Sequence, residues 1–209
     1  MHFAPYAKET FVILAGYALG CFTAGYYLVR WRTGEDIRLL GSGNVGATNV
    51  GRVLGRPGFM LTVLLDFLKG VVAVWLASYF QLKPEAVMLT MLGAACGHIW
   101  PMQLWFRGGK GVATSLGAIL MFDYLVALIF SGLFLVLFGA VRNFVLAGLL
   151  AFAIMPLALF LLGFPLTSVF GLSALAVLIL IAHRKNIREE MSKVMSDGKM
   201  KSDKRAVSK

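Results

Sequence analysis

The chain has 209 residues, 59% of them hydrophobic and only 14% charged, with a mean hydropathy of +0.80. A soluble domain of this length carries about a quarter charged residues, so a soluble fold is excluded and one compact helical bundle fills the length. The net charge of +10 would suit a nucleic-acid binder, but Lys and Arg sit at the ends of apolar runs, which excludes that partner and points to membrane topology.

The apolar residues come in long uninterrupted runs, the pattern of membrane-spanning helices. In chain order the expected spans are roughly 9–30, 57–80, 85–101, 110–122, 124–141, 144–163 and 165–182. This is an all-α polytopic membrane fold of seven transmembrane helices. The first run, Phe11 to Val29, is long for the core of a cleaved leader, and Arg30 and Arg32 follow it. It reads as a retained helix with its amino end outside. Breaks fall at Gln81-Leu82-Lys83-Pro84, Met121-Phe122-Asp123, Arg142-Asn143 and Gly163-Phe164-Pro165, where turn formers or charges interrupt the runs.

Lys110 to Val141 as one helix would run about 48 Å, beyond a ~30 Å hydrocarbon core, hence the division at Asp123. The first half then reaches only about 20 Å, so its amino end must start sunk in the protein. That end is Gly108-Gly109-Lys110-Gly111. With the amino terminus outside, seventeen of the twenty Lys and Arg face inside, against Lys8 and Lys83 outside and Lys69 within a span. Residues 1–187 form one membrane domain, and 188–209 a basic cytoplasmic tail solvated beside the anionic leaflet. Cys21 and Cys96 read as reduced packing residues.

Three polar segments open on the cytoplasmic side in this topology. The first, Gly41-Ser42-Gly43-Asn44-Val45-Gly46-Ala47-Thr48-Asn49, leads into a helix carrying Arg52. Its small residues let the backbone turn tightly and aim successive N–H groups at an anion. Ser42, Thr48, Asn44 and Asn49 add side-chain donors. No Gly-Lys-Ser/Thr closes it and no strand precedes it, so neither a Walker A loop nor a dinucleotide fingerprint is present. A lone glycine-rich run is more often a plain flexible loop; the density of donors beside Arg52 favours phosphate binding.

The second segment is Gly97-His98-Ile99-Trp100-Pro101 followed by Arg107-Gly108-Gly109-Lys110-Gly111. Lys110 between glycines offers a point charge and open backbone donors to a phosphate. An ordinary positive-inside loop also holds Arg and Lys, but needs no three glycines around the lysine. His98, alone at a span end beside Trp100, reads as structural and interfacial. In the third segment, His183 and Asn186 are three residues apart and share a helix face. The competing reading there is the snorkelling end of a transmembrane helix. Asp66 and Lys69 have the same spacing inside a span, where ionisable groups pair, and read as a structural ion pair.

Ser42 to Asn49 with Arg52, Gly97-His98-x-Trp100-Pro101 with Phe106 to Thr114, and His183-x-x-Asn186-Ile187 resemble the motifs of the bacterial acyl-phosphate:glycerol-3-phosphate acyltransferases. The resemblance runs from the first span to about Ile187; beyond it, Arg188-Glu189-Glu190-Met191 departs from the family's usual ending. It implies seven spans, no metal or other cofactor, and transfer of a fatty acyl group from acyl phosphate to glycerol 3-phosphate. Lysophosphatidic acid and phosphate would be the products, made among membrane lipids on the cytoplasmic side of the inner (plasma) membrane. On this resemblance Ser42 to Asn49 and the Gly108 to Gly111 loop hold the acyl phosphate, while Arg52, Lys110, His183 and Asn186 position glycerol 3-phosphate. His183 is the one side chain suited to be general base; a substrate phosphate oxygen can accept the hydroxyl proton instead, and is the preferred acceptor of the two. The His-x4-Asp of other glycerolipid acyltransferases, whose carboxylate orients the imidazole, is absent. Gln103, Arg188 and Ala7 stand five residues after His98, His183 and His2. The rival reading, a transporter or channel for a phosphate-type anion, fits glycine-broken spans but lacks an inverted repeat and polar residues on the outer face.

Overall fold

The computed structural model describes residues 3–188, with side chains from Tyr6 onward; the expected solvated tail from residue 189 lies outside the described residues. Among the described residues all regular structure is helical. The helices are α1 (Phe3–Cys21), α2 (Ala24–Thr33), α3 (Ala47–Tyr79), α4 (Pro84–Ile99), α5 (Val112–Phe122), α6 (Tyr124–Val141), α7 (Phe144–Leu161) and α8 (Leu166–Ala182). Short 3-10 turns occupy Ile37–Leu39 and Met102–Leu104. Tyr6–Thr33, Ala47–Tyr79, Tyr124–Val141 and Phe144–Leu161 are each long and apolar enough to cross a membrane, whereas Val112–Phe122 and Leu166–Ala182 are shorter apolar helices.

The helix ends follow local chemistry. Asp123 divides α5 from α6 as expected: its carboxylate accepts from the Leu125 N–H at 2.7 Å, one of the donors that a helix start leaves unpaired. Asn143 does the same for α7 through the Leu146 N–H at 3.0 Å. Pro84 opens α4 at a first-turn position, where a missing N–H costs nothing.

Two boundaries differ from the sequence-based expectation. The first apolar run is not one helix; it breaks at Phe22-Thr23 between α1 and α2. The break is met by a residue far along the chain. The Lys69 ammonium donates to the carbonyls of Gly20 at 3.0 Å and Phe22 at 2.6 Å, supplying partners for acceptors that a helix end exposes. The second expected span, starting at 57, is joined to an earlier helical segment beginning at Ala47. Gly55, with φ 74° and ψ −169°, kinks the chain between the two parts, and Pro57 restarts it.

Helix packing uses two modes. A Cβ on Gly70 would meet the Thr114 carbonyl and one on Gly117 the Phe67 carbonyl, so α3 and α5 touch backbone to backbone. Gly97 likewise lies on the Tyr17 carbonyl and joins α4 to α1. By contrast α6 and α7 meet through large side chains, with the Phe130 and Phe152 rings 4.6 Å apart. Within α6 only Val126 and Phe130 are buried, while Leu128, Leu135 and Val136 point outward. So large an apolar exterior matches hydrocarbon, in which each helix already satisfies its own backbone.

Candidate active site

The first polar segment connects α2 to α3 and closes on itself. Asp36 accepts from the Arg38 backbone N–H at 2.9 Å and from its guanidinium at 2.5 and 3.0 Å. The bonded Arg38 side chain holds the Asp36 carboxyl below the usual carboxylate range, against the opposing effect of burial. Asn49, only 1% exposed, is the hub of the next turn. Its Oδ1 accepts from the Ser42 N–H at 2.8 Å, and its amide donates to the carbonyls of Leu40 at 2.9 Å and Asn44 at 3.0 Å. The Gly43 N–H donates to the Leu40 carbonyl at 2.9 Å, and the Gly46 N–H to Asn44 Oδ1 at 2.7 Å.

These bonds correct the sequence reading at two points. Asn49 is engaged with loop backbone and holds the loop rather than reaching a ligand. The N–H groups of Ser42, Gly43 and Gly46 also have internal partners, so they do not form the open anion nest expected of them. What remains for a ligand is the exposed hydroxyls of Ser42 and Thr48, the Asn44 amide, and the first-turn N–H groups of α3 at Ala47 and Thr48. Arg52 stands exposed on α3, with no ion-pair partner among the described residues.

The second segment is anchored to the first. Arg38 Nη1 donates to the Leu104 carbonyl at 2.9 Å. Leu104 itself is buried in a small apolar cluster with Val29, Ile37, Val45 and Val50. Burial of such side chains contributes about 1.5–3 kcal/mol each, enough to keep the two loops together. Tyr17 Oη donates to the Trp100 carbonyl at 2.8 Å, and the Gln103 amide donates to the Cys21 carbonyl, tying the loop to α1. Trp105 and Phe106 take the left-handed conformation at φ 55° and 58°, a strain that the surrounding bonds hold in place.

The chain then doubles back on the end of α4. The Gly108 N–H donates to the Ile99 carbonyl at 3.1 Å and the Gly109 N–H to the His98 carbonyl at 2.9 Å. The open donors expected at these two glycines are therefore already in use. Their smallness serves close approach instead: a Cβ on Gly109 would land on His98 Nε2, and one on Gly108 on the His98 carbonyl. Gly111, at φ 79°, turns the chain into α5. The first N–H groups of α5, at Val112, Ala113 and Thr114, carry the partial positive charge of a helix start. Gly109 and Gly111 are buried and Lys110 half-buried, so this end lies sunk in the protein as expected. Arg107 is exposed beside it.

Lys110 donates to Asn186 Oδ1, joining the second segment to the third. His183 lies just past the end of α8 and is buried, with Nδ1 2.8 Å from the Ile179 carbonyl. A carbonyl only accepts, so the proton sits on Nδ1 and Nε2 is left as an acceptor. Burial, with a smaller contribution from the Lys110 charge, pushes the imidazole below its ordinary value, against the opposing pull of the Ile179 bond. Neutral His183 with an accepting Nε2 is the form a general base requires.

His98, by contrast, is buried with Asp66 and Lys69. Nδ1 of His98 lies 2.7 Å from the Lys69 ammonium, which is 3.0 Å from Asp66. The expected Asp66–Lys69 ion pair is present, and His98 joins it. Sequence reading missed this third member, along with the Arg38 bridge and the Gln103 anchor. Only the Asp36-x-Arg38 spacing, typical of a side-chain-capped turn, gave a local signal.

A helical bundle with an apolar exterior, three polar segments joined at one end and a lysine at the mouth of a short helix defines an integral membrane enzyme for anionic substrates. Residues 10–193 match the family described as Glycerol-3-phosphate acyltransferase. The chain is 47% identical over 186 residues to glycerol-3-phosphate acyltransferase 1 of Desulfitobacterium hafniense, covering 88% of this chain and 92% of that protein. It is 37% identical over 173 residues to the Bacillus cereus protein of the same name, covering 83% and 95% respectively. Among solved structures it is similar to PlsY, an integral membrane glycerol 3-phosphate acyltransferase, in its glycerol 3-phosphate form. The TM-score is 0.80 at 36% identity, over 88% of this chain and 92% of that one. The lysophosphatidic acid form of PlsY gives 0.78 at 34% identity, with the same coverage. The chain belongs to the glycerol-3-phosphate acyltransferase family, which sets the transport alternative aside.

Proposed function

We propose that the chain transfers a fatty acyl group from acyl phosphate to glycerol 3-phosphate, releasing lysophosphatidic acid and inorganic phosphate. The observation that carries this reading is the Lys110–Asn186 bond, which joins the second and third polar segments while Arg38 joins the first and second. Both substrates are phosphates, and two cationic or helix-start groups serve them. Ser42 and Thr48 with the starts of α3 and α5 face acyl phosphate; Arg52, Lys110, His183 and Asn186 face glycerol 3-phosphate. Arg107 adds charge at the rim.

The chemistry asks little of the protein. The acceptor hydroxyl oxygen attacks the acyl carbonyl carbon, the carbon–oxygen bond to phosphate breaks, and phosphate departs with the electron pair. Its developing charge is stabilised by Lys110 and the α5 N–H groups. The hydroxyl proton passes to His183 Nε2, a role favoured by its buried, neutral state; a phosphate oxygen is the other acceptor. Asn186 orients Lys110. The site belongs to a seven-span bundle, with α1 and α2 counted as one span, in the inner membrane. The Lys and Arg distribution supports a cytoplasmic position for the three segments. The acyl chain enters sideways from the bilayer, and glycerol 3-phosphate from water.

Purified protein given acyl phosphate and glycerol 3-phosphate should yield lysophosphatidic acid, whereas acyl-CoA or acyl-carrier protein should not replace the donor. Comparable turnover with acyl-CoA would sink the donor assignment. In the same assay the rate should rise with pH through a midpoint below the ordinary imidazole value of ~6.5, and His183→Ala should lose that limb.

A further inference from the structure

Asp66, Lys69 and His98 are 3%, 6% and 4% exposed. Ionisable groups at such depth are costly, and a buried ion pair contributes little net stability over apolar packing. Their presence is explained by what they hold. The three protons of the Lys69 ammonium go to Gly20 O at 3.0 Å, Phe22 O at 2.6 Å and His98 Nδ1 at 2.7 Å. Asp66, at 3.0 Å from Lys69 and 3.5 Å from His98, supplies the countercharge.

Both fixed points bear on the loop that carries Lys110. Beside Gly20 and Phe22, the Cys21 carbonyl receives the Gln103 amide at the start of the loop. At its end, the His98 carbonyl receives the Gly109 N–H at 2.9 Å, and the His98 ring lies where a Gly109 side chain would be. Lys110 follows directly.

We infer that the buried Asp66–Lys69–His98 triad is a positioning device, with His98 as the surface against which Gly108 and Gly109 are pressed and Lys110 is set. The inference rests on the reading that the Lys110 loop handles substrate phosphate. None of the three is a catalytic residue; they act through the loop. Gly109 does not have a positive φ, so an added methyl meets the His98 ring rather than a forbidden backbone.

The test is reciprocal and uses full-length protein in lipid nanodiscs. Gly109→Ala leaves every triad bond intact but pushes the loop off His98. It should lower kcat/KM roughly a hundredfold, the cost of an ångström-scale misplacement. His98→Asn keeps an acceptor for Lys69 but removes Nε2, so the double variant Gly109→Ala/His98→Asn should recover most of that loss. Because the two residues touch, their effects couple in either case. A purely structural His98 predicts that loss and recovery of kcat/KM follow the melting temperature, whereas positioning predicts them at a nearly constant melting temperature. Full activity in Gly109→Ala, or a double variant no better than Gly109→Ala, overturns the inference. Lys110→Ala run alongside separates the two levels. If it is inactive while the pair shows no recovery at constant melting temperature, only the positioning role falls; if it is active, the phosphate-loop reading falls and takes this inference with it.

Discussion

The two glycine-rich segments read alike in the sequence, but the folded chain builds them on opposite plans. Gly41 to Asn49 is braced from within: the Asn49 side chain and the internal N–H bonds close the loop on itself. Gly108 to Gly111 has no such brace. It is held from outside, against His98 and Ile99 of α4, and directs Lys110 across to Asn186. The difference teaches that glycine richness alone does not identify a phosphate nest. In the first loop, glycine lets backbone groups satisfy one another; in the second, it lets the backbone lie on an imidazole. The donors left without a partner inside the loops are at the helix starts and on side chains beyond the glycines.

The comparison makes damage to the two loops distinguishable. The largest effect belongs to Lys110→Ala, which should cut turnover by roughly a hundred- to a thousandfold, as for other lost charge-stabilising donors. Its melting temperature should stay near that of the unmodified protein, because Lys110 is half-buried and the Gly108 and Gly109 backbone bonds that hold the loop do not involve its side chain. A variant that instead unfolds would make the second loop a structural brace like the first.

Asn49→Ala should show the reverse profile. It leaves the Ser42 N–H and the Asn44 carbonyl without the Asn49 partner and the Leu40 carbonyl with only the Gly43 N–H, at about 1–3 kcal/mol for each unpartnered group that water cannot reach. Thermal unfolding and limited proteolysis should reveal a loosened 41–46 segment, with activity falling as a consequence. Asn49→Asp should not rescue it, since a carboxylate accepts from Ser42 but cannot donate to the two carbonyls. Full stability in either variant would break the comparison.

The smallest effect is expected at Asp36. Its folded-state value lies below the usual carboxylate range, so the ionised group contributes stability at neutral pH that is lost as pH falls through that lowered value. Asp36→Asn should lower the melting temperature modestly at pH 7, and the gap to the unmodified protein should close below about pH 4. A gap that persists at low pH would mean the Arg38 bridge does not depend on the Asp36 charge.

What the sequence determined by itself is what depends on short-range patterns. The runs of apolar residues announced a membrane bundle, because a bilayer demands uninterrupted helices with satisfied backbones. Asp123, Asn143 and Pro84 marked helix ends through groups only a few residues away. Even the shortness of α5 followed from its length against the bilayer, as did the sunken position of Gly109 and Lys110. The family motifs carried the substrate class for the same reason: they are contiguous.

The tertiary structure alone decided which polar groups are available to a ligand. Asn44 and Asn49 look equivalent in the sequence, yet burial and four backbone partners convert Asn49 into a brace. The carbonyls exposed by the break at Phe22-Thr23 find their partner in Lys69, dozens of residues away across the bundle. His98 could be read as interfacial until the fold brought Lys69 to its Nδ1 and Gly109 to its ring. Hydrogen bonds between groups far apart in the chain leave no periodicity or spacing behind, so the distinction between polar groups left open and those engaged in holding the loops lay beyond the sequence.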